Sequence, residues 1–329
     1  MQPDWVMTEK IDSTSRLVFA SDFGGTHMRG ALIDDRGKIH VQLKRETPRG
    51  SSPNCIVNAL VDAARDCQHR GGISRIAAAA VMVPGTVSKD NTFIVQAPNL
   101  TSLSKFGLKA AIEQELGCPT VLENDANAAA VGEMWLGAAR GARSVVCITL
   151  GTGVGGGMIL DGKLWRGVDG SAGEIGHASV EASGPDCKCG SRGCLEMFAS
   201  GPAIVRMARE SLSHFPDTMV QEQCLTAEKI YDAAKTGDEL ALMVFRKAGE
   251  YLGVGLANLI NILGPEVIVV AGGVANGWDL LEGPMREEIT KRAIPSAASS
   301  VKISVAECGD NAGLLGAARL ALDDLNDQR

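Results

Sequence analysis

The chain has 329 residues and a formal net charge of −7 at pH 7. This length allows one large domain or two ordinary domains with a substantial core. The charge argues against nucleic acid as the main partner, because phosphate backbones are bound by clustered Lys and Arg. The sequence shows no signal-peptide pattern and no apolar run of membrane-spanning length, so no membrane partner is expected. Nine cysteines, an odd number without disulfide-scaffold spacing, predict a reducing, cytoplasmic location.

The first half of the chain is predicted to alternate between short strands and helices. Residues 1–15 are polar and are expected to form a disordered leader. A strand–turn–strand pattern over 17–33 is followed by a helix over 52–68 and a buried strand over 76–83. The half ends with a helix over 104–116 and a strand over 120–122.

The second half repeats the pattern of a strand, a glycine-rich turn and a returning strand. It begins with a strand over 144–150, a glycine turn over 151–157 and a strand over 158–160. Three helices, two strands and a closing helix follow, over 201–213, 226–236, 238–263, 267–270, 303–305 and 312–325. This repetition predicts an α/β protein of two related lobes with a cleft between them.

The segment DFGGT at 22–26 joins the first two strands. Gly24 and Gly25 allow backbone N–H groups to approach an anion closely, and Thr26 adds a hydroxyl donor. Asp22 can hold Mg²⁺ through water. The same pattern is compatible with a plain β-hairpin turn. It is neither a Walker loop nor a Rossmann loop, since it lacks the Gly-Lys-Ser/Thr ending and a strand follows it.

A second glycine segment, LGTGVGGG at 150–157, holds the equivalent place in the other half. Its first turn is formed by Gly151, Thr152 and Gly153. Two such turns that face each other across a cleft can bind a polyphosphate from both sides. Gly272 and Gly273 follow a buried strand and form a third close-approach turn, which can lie along an adenosine. Tight packing of a helix against a strand explains this third turn equally well.

The segment ENDAN at 123–127 follows a predicted strand and opens an alanine-rich helix. Asp125 can simply cap this helix. It can also act as a general base, because a sugar hydroxyl becomes a good nucleophile when a nearby carboxylate takes its proton. Phosphoryl transfer depends mainly on positioning and charge neutralisation, so one well-placed Asp is a sufficient base.

Three thiols and one imidazole fall within the short segment 174–196. They are Cys187, Cys189, Cys194 and His177, which together make a complete ligand set for a structural Zn²⁺. A redox cysteine cluster and unrelated buried thiols are the alternatives, but the CxC and CxxxxC spacing, with its glycines, favours zinc. Glu174 and Glu196 flank the set, so a bound metal would also fix two carboxylates that can bind a hydroxyl-rich substrate.

Several motifs between Leu17 and the end of the chain resemble the ROK family of repressors, uncharacterised reading frames and sugar kinases. They are DFGGTHMRG, APNL, ENDANAAA, ITLGTGVGGGMILDGKLWRG, AGEIGH, CKCGSRGCLE, VVAGGV and DNAGLLGAARLA. The resemblance implies a two-lobed actin-like ATPase (ribonuclease H-like) fold with a cleft between the lobes. It divides the chain into an N-terminal lobe at 16–123, completed by a C-terminal helix at 312–329, and a C-terminal lobe with a zinc knuckle at 124–311.

Within this family, the sequence resembles the bacterial glucokinases. This resemblance implies ATP-dependent phosphorylation of D-glucose at O6, and it implies a homodimer or homotetramer. Asp125 matches the catalytic base of the family. The hexose contacts match Gly85, Asn99, Asn124, Glu174, His177 and Glu196. The ATP phosphate contacts match Asp22, Gly24, Gly25, Thr26, Gly151, Thr152 and Gly153, and the nucleoside contacts match Gly272 and Gly273. His177 would therefore use one ring nitrogen for zinc and the other for a sugar hydroxyl.

Other functions remain open from the sequence. N-acetylmannosamine kinase, or another hexokinase of the family, would use the same motifs, and polyphosphate is an alternative donor to ATP. A sugar-sensing transcriptional regulator is the alternative outside enzymes, although about sixteen residues before the first strand are too few for a helix-turn-helix. His27 departs from the family, in which many members have Lys beside this phosphate loop.

Overall fold

The computed structural model describes residues 5–7, 11–12, 15–24, 26–48, 52–97 and 101–327. Two of the predicted site residues, Gly25 and Asn99, lie outside the described residues. Within the described ranges, no helix combines the length and the apolar composition that crossing a bilayer requires.

A mixed sheet with helices on both faces forms the first lobe. Its strands are β1 (Trp5–Met7), β2 (Leu17–Phe23), β3 (His27–Asp34), β4 (Ile39–Glu46), β5 (Ala78–Val83), β6 (Thr86–Val87), β7 (Ile94–Gln96) and β8 (Thr120–Asn124). The helices in this part of the chain are α1 (Pro53–Arg70), α2 (Leu108–Leu116) and α3 (Asp125–Leu136). The strand order is β1-β4-β3-β2-β5-β8, and β6 pairs separately with β7. β2 is antiparallel to β3, whereas β2, β5 and β8 run parallel.

The second lobe repeats this arrangement. Its strands are β9 (Val145–Leu150), β10 (Val154–Leu160), β11 (Lys163–Leu164), β12 (Val267–Ala271) and β13 (Lys302–Val305). Its helices are α4 (Glu196–Ala199), α5 (Gly201–Ser211), α6 (Ala227–Lys235), α7 (Glu239–Leu263), α8 (Trp278–Arg292) and α9 (Pro295–Ser300), and α10 (Ala312–Asp327) closes the chain. β9 and β10 form an antiparallel hairpin, and β12 runs parallel to both β9 and β13. The equivalent hairpins confirm the predicted two-lobed α/β fold.

Two helices join the lobes and position the cleft. α10 packs its apolar side on the first sheet, where Leu314 and Leu322 meet Ala80 of β5 and its neighbours. α3 covers the second sheet on the face opposite α7. α3 and α10 also pack on each other closely, with Gly132 and Gly316 at their contact. Because α3 is held by both sheets, its first residue is fixed where the lobes meet.

Two element predictions differ from the structure. Trp5–Met7 falls within the segment predicted to be disordered, but it pairs with β4 as an antiparallel edge strand. Trp and Val favour extended backbone, and the edge of a sheet offers unpaired N–H and C=O groups to such a segment. The helix predicted over 104–116 begins only at Leu108, because Lys105 has a positive φ of 61° that no α-helix contains.

Candidate active site

Asp125 lies at the first position of α3, directly after β8 ends. The N-cap of this helix is Asn124, whose Oδ1 accepts hydrogen bonds from the N–H groups of Ala126 and Asn127 at 2.9 and 3.1 Å. The Nδ2 of Asn124 donates to the carbonyl of Gly85 at 3.0 Å. Asp125 is therefore not required as the cap. Its own Oδ1 shares the N–H of Ala126 at 2.9 Å.

The pKa of Asp125 is raised from 3.8 to about 6. The side chain opens onto the cleft, but the surrounding lobes shield it from bulk water, and this desolvation is the largest cause of the shift. The N–H of Ala126 opposes the shift, and the negative charges of Asp22 and Glu174 increase it. A carboxylate with a pKa just below neutrality is well suited to take a proton at physiological pH.

Both lobes contribute to a cavity of about 500 Å³ beside Asp125. Asp22 and Arg29 line it from the first lobe, and Gly272 and Gly273 line it from the second. A neighbouring cavity of about 450 Å³ is lined by the second glycine turn, by aromatic side chains and by Gly273 of the third turn. Its lining includes Gly151, Thr152, Tyr231, Phe245, Gly273 and Asn276. Gly273 lines both cavities, so an elongated ligand can run from an aromatic pocket to Asp125.

The first glycine turn carries an ion pair that the sequence reasoning missed. Arg29 donates from Nε to Oδ2 of Asp22 at 3.1 Å and approaches the same oxygen more closely with Nη2. Its Nη1 donates to the carbonyl of Asp310 at 2.8 Å. Among the described residues, Oδ1 of Asp22 has no hydrogen-bond partner, and Asp22 lines the cavity. The turn itself is closed by Gly24, whose carbonyl accepts a hydrogen bond from Thr47 Oγ1 at 2.6 Å, while Thr26 is exposed.

The second glycine turn is tied to Glu196, the first residue of α4. Oε2 of Glu196 accepts the N–H of Val154 at 3.0 Å. The turn is closed by the N–H of Gly151 on the carbonyl of Gly153 at 2.9 Å. A Cβ atom on Gly153 would lie 2.5 Å from Oε2 of Glu196, so a larger residue there would displace the carboxylate. One predicted hexose ligand and one predicted phosphate turn are thus in direct contact.

The four predicted zinc ligands come together. One donor atom from each of them lies within 4.8 Å of all the others, and they are His177, Cys187, Cys189 and Cys194. The Sγ atom of Cys187 is 3.7 Å from Nδ1 of His177, and the Sγ atoms of Cys189 and Cys194 are 3.7 Å apart. A tetrahedron with Zn–S bonds of about 2.3 Å has edges of roughly 3.8 Å, so the set fits Zn²⁺.

His177 contacts the thiol cluster through one ring nitrogen. Its Nδ1 faces the thiols, and its Nε2 is left for another partner. His177 ends the short 3₁₀ turn Ile175–His177, and Glu174 immediately precedes that turn with an exposed side chain. The negative charge of Glu174 also contributes to the raised pKa of Asp125.

A second missed ion pair crosses between the lobes. Glu123, the residue before the N-cap of α3, is buried and accepts Nε of Arg166 at 2.8 Å and Nη2 at 2.7 Å. Sequence patterns could not reveal the pair of Glu123 and Arg166, since these residues are 43 positions apart and become neighbours only in the folded chain. Asp22 and Arg29 lie directly opposite each other in the β2–β3 hairpin, so the register of that hairpin could have indicated their pairing.

A model of the ROK family matches residues 18–324 of this chain. The glucokinase of Halalkalibacterium halodurans is 37% identical over 303 residues, which cover 90% of this chain and 92% of that protein. The crystal structure of a ROK family glucokinase from Streptomyces griseus, in complex with glucose and AMPPNP, matches with a TM-score of 0.79 and 35% identity, covering 93% of this chain and 99% of that one.

A transcriptional regulator of the same family, a homologue of the E. coli Mlc protein, matches with a TM-score of 0.84 and 26% identity, covering 93% of this chain and 78% of that one. The fold is therefore the two-lobed fold of the sugar kinases, which this regulator shares. The chain belongs to the ROK family, as its motifs predict.

Proposed function

We propose that this protein is an ATP-dependent hexose kinase that converts D-glucose to glucose 6-phosphate, with Asp125 as the general base. The observation that carries the proposal is the position of Asp125. Its carboxylate, with a pKa near 6, lines the cavity to which both lobes contribute. The similarity to the glucokinases of Halalkalibacterium halodurans and Streptomyces griseus supports glucose as the first substrate to test.

The two adjoining cavities fit the donor in this proposal. The aromatic pocket with Tyr231 and Phe245 would take the adenosine of ATP, and the phosphates would extend past Gly273 toward Asp125. Backbone N–H groups of the glycine turns can approach the phosphate oxygens closely. Oδ1 of Asp22 would hold Mg²⁺ through water, and that ion would neutralise charge on the transferred phosphoryl group.

The hexose would bind on the other side of Asp125. The free Nε2 of His177 and the carboxylates of Glu174 and Glu196 are suited to its hydroxyl groups, and Asn124 retains one Nδ2 hydrogen for the same purpose. His177 and the three cysteines would hold Zn²⁺, which in a closed four-ligand site has a structural role. Removing the metal would therefore release the hexose-binding segment without removing the base.

The chemical step follows from these positions. Asp125 accepts the proton of the hexose O6 hydroxyl, and O6 forms a bond to the γ-phosphorus while the bond from that phosphorus to the bridging oxygen of ADP breaks. Burial in the cleft keeps the pKa of Asp125 high enough to make it an effective acceptor, yet low enough to leave it ionised at neutral pH.

A coupled ADP-release assay tests the proposal with glucose, mannose, fructose, N-acetylglucosamine and N-acetylmannosamine side by side. The expected result is the highest kcat/KM with glucose and ATP, and a lower value when polyphosphate replaces ATP. A preference for N-acetylmannosamine would support that kinase instead. We also propose a cytoplasmic homodimer or homotetramer, and sedimentation of the purified protein tests its assembly state.

A sugar-sensing regulator is the second candidate, because the Mlc homologue shares the fold. Binding of a sugar without ADP release, together with a salt-sensitive shift of a DNA duplex, would favour this candidate. The raised pKa of Asp125 beside a cavity has no evident use in a pure sensor, so the kinase is the better supported function.

A further inference from the structure

Glu123 is a buried carboxylate, only 3% exposed, and donors contact both of its oxygens. Its Oε1 accepts the N–H of Asn124 at 2.9 Å and Nδ2 of Asn127 at 3.0 Å. Its Oε2 accepts both Nε and Nη2 of Arg166. One carboxylate thus joins Asn124 and Asn127, at the start of α3, to an arginine from the other lobe.

Arg166 lies at the beginning of the segment that leads to the predicted hexose ligands. The carbonyl of Arg166 accepts the N–H of Ala172 at 3.2 Å, which closes residues 166–172 into a compact loop. The far side of this loop reaches the first lobe, where Gly170 abuts the carbonyl of Val87 so closely that a Cβ atom would overlap it. Glu174 lies only two residues after this loop, so a shift of the loop would also shift Glu174.

We propose that Glu123 and Arg166 form an interlobe latch that positions the hexose, a role that rests on the proposed function. Arg166 is a positioning residue in this proposal and touches neither substrate. The latch sets the distance between two parts of the hexose site: Asn124 and Asp125 on the first lobe, and the segment 166–174 on the second. Neither Glu123 nor Arg166 lines the cavity beside Asp125 or the neighbouring aromatic cavity. The latch therefore leaves the ATP pocket unaffected.

The chemistry of the pair supports a positioning role. A guanidinium offers several donors in a fixed plane, so two of them on one buried oxygen restrict the orientation of the loop more than a single lysine bond would. The remaining oxygen of Glu123 is already satisfied by two donors, so its carboxylate cannot rotate away without breaking them. The buried Oδ1 of Asn127 has no donor among the described residues, and it lies beside Gly173, so the first turn of α3 packs against the same segment.

Substitution of Arg166 by Met tests the latch with two measurements on the intact protein. The first is amide hydrogen exchange of the segment 166–175, which should quicken by about tenfold or more when its anchor is lost. The second is steady-state kinetics with D-glucose and ATP. We expect kcat/KM for glucose to fall on the order of 100-fold, as for a misplaced substrate contact, with KM for ATP within about twofold of wild type.

Three further variants separate positioning from simple destabilisation. Arg143→Met is the matched control, because Arg143 makes an exposed ion pair with Asp161 on the same lobe and should change neither measurement. Arg166→Lys should give an intermediate effect. Glu123→Gln combined with Arg166→Met removes both charges, so it should restore thermal stability toward wild type but leave kcat/KM for glucose lowered.

Unchanged exchange of 166–175 in Arg166→Met would overturn the latch. Full recovery of kcat/KM for glucose in the double variant would also overturn it, because the defect would then come from an unpaired buried charge. Absence of ADP release by the wild-type protein with every hexose would refute the proposed function instead, and the exchange result would still decide whether the latch holds the segment.

Discussion

Replacing Asp125 by Asn should stabilise the protein at alkaline pH while it removes the proposed base. The native pKa of about 6 lies above the reference value of 3.8, so ionised Asp125 opposes folding. A difference of about two pKa units corresponds to at most about 3 kcal/mol. Since the side chain opens onto the cleft, solvent screening reduces this to about 1 kcal/mol, or roughly 2 °C in Tm.

A raised carboxyl pKa favours the folded state below pH 3.8, and this contribution is lost as the pH rises through about 6. The gain from Asn should therefore be largest above pH 6 and should shrink toward pH 4. Thermal unfolding of Asp125→Asn and wild type across pH 4–8 measures it, with Asp161→Asn at an exposed ion pair as the control. An equal or lower Tm for Asp125→Asn at pH 8 would refute the assignment of a desolvated carboxylate.

Three other predictions concern activity and metal content. The kcat/KM for glucose should rise with pH through about 6 and then level off, because Asp125 must be ionised to accept a proton; a flat profile between pH 5 and 8 would contradict this. Metal analysis should find about one zinc per chain. Cys189→Ser should lose both the metal and the affinity for glucose, whereas Cys224→Ser, at an exposed cysteine, should keep both. Full activity after verified zinc removal would contradict the structural role of the metal. Gly153→Ala should lower kcat/KM for glucose by about tenfold, because the added methyl group would displace the carboxylate of Glu196. Gly107→Ala should leave it unchanged, because a Cβ atom at Gly107 would meet open space. Equal kinetics for the two variants would refute the crowding at Gly153.

Local sequence patterns predicted much of the fold because they reflect local physics. The glycine turn at 151–153 and the hairpin that follows it were readable, since a strand period interrupted by glycines has few structural solutions. The clustering of Cys187, Cys189 and Cys194 was readable for a similar reason, because ligands this close in sequence can meet without help from the rest of the chain. The edge strand Trp5–Met7 was not, because three residues carry no period and depend on the exposed edge of β4.

The electrostatics of the candidate site depend on contacts between distant residues. Arg166 reaches Glu123 from the other lobe, and this pairing leaves no pattern in the sequence. Arg29 lies opposite Asp22 in the β2–β3 hairpin, so that pairing depends on the register of two neighbouring strands. The finding that Asp125 is not the N-cap of α3 also required the structure. Asn124 occupies the N-cap, and the raised pKa of Asp125 results from the way the lobes enclose the cleft rather than from its sequence neighbours alone.

Turnover of Asp125→Ala with D-glucose and ATP tests the central claim most directly. ADP release should fall by a factor on the order of 100 to 10,000, the range that a general base contributes. Glucose binding by calorimetry should remain measurable, because Glu174, His177 and Glu196 are unchanged. Near-normal ADP release by this variant would contradict the account and would remove Asp125 as the base.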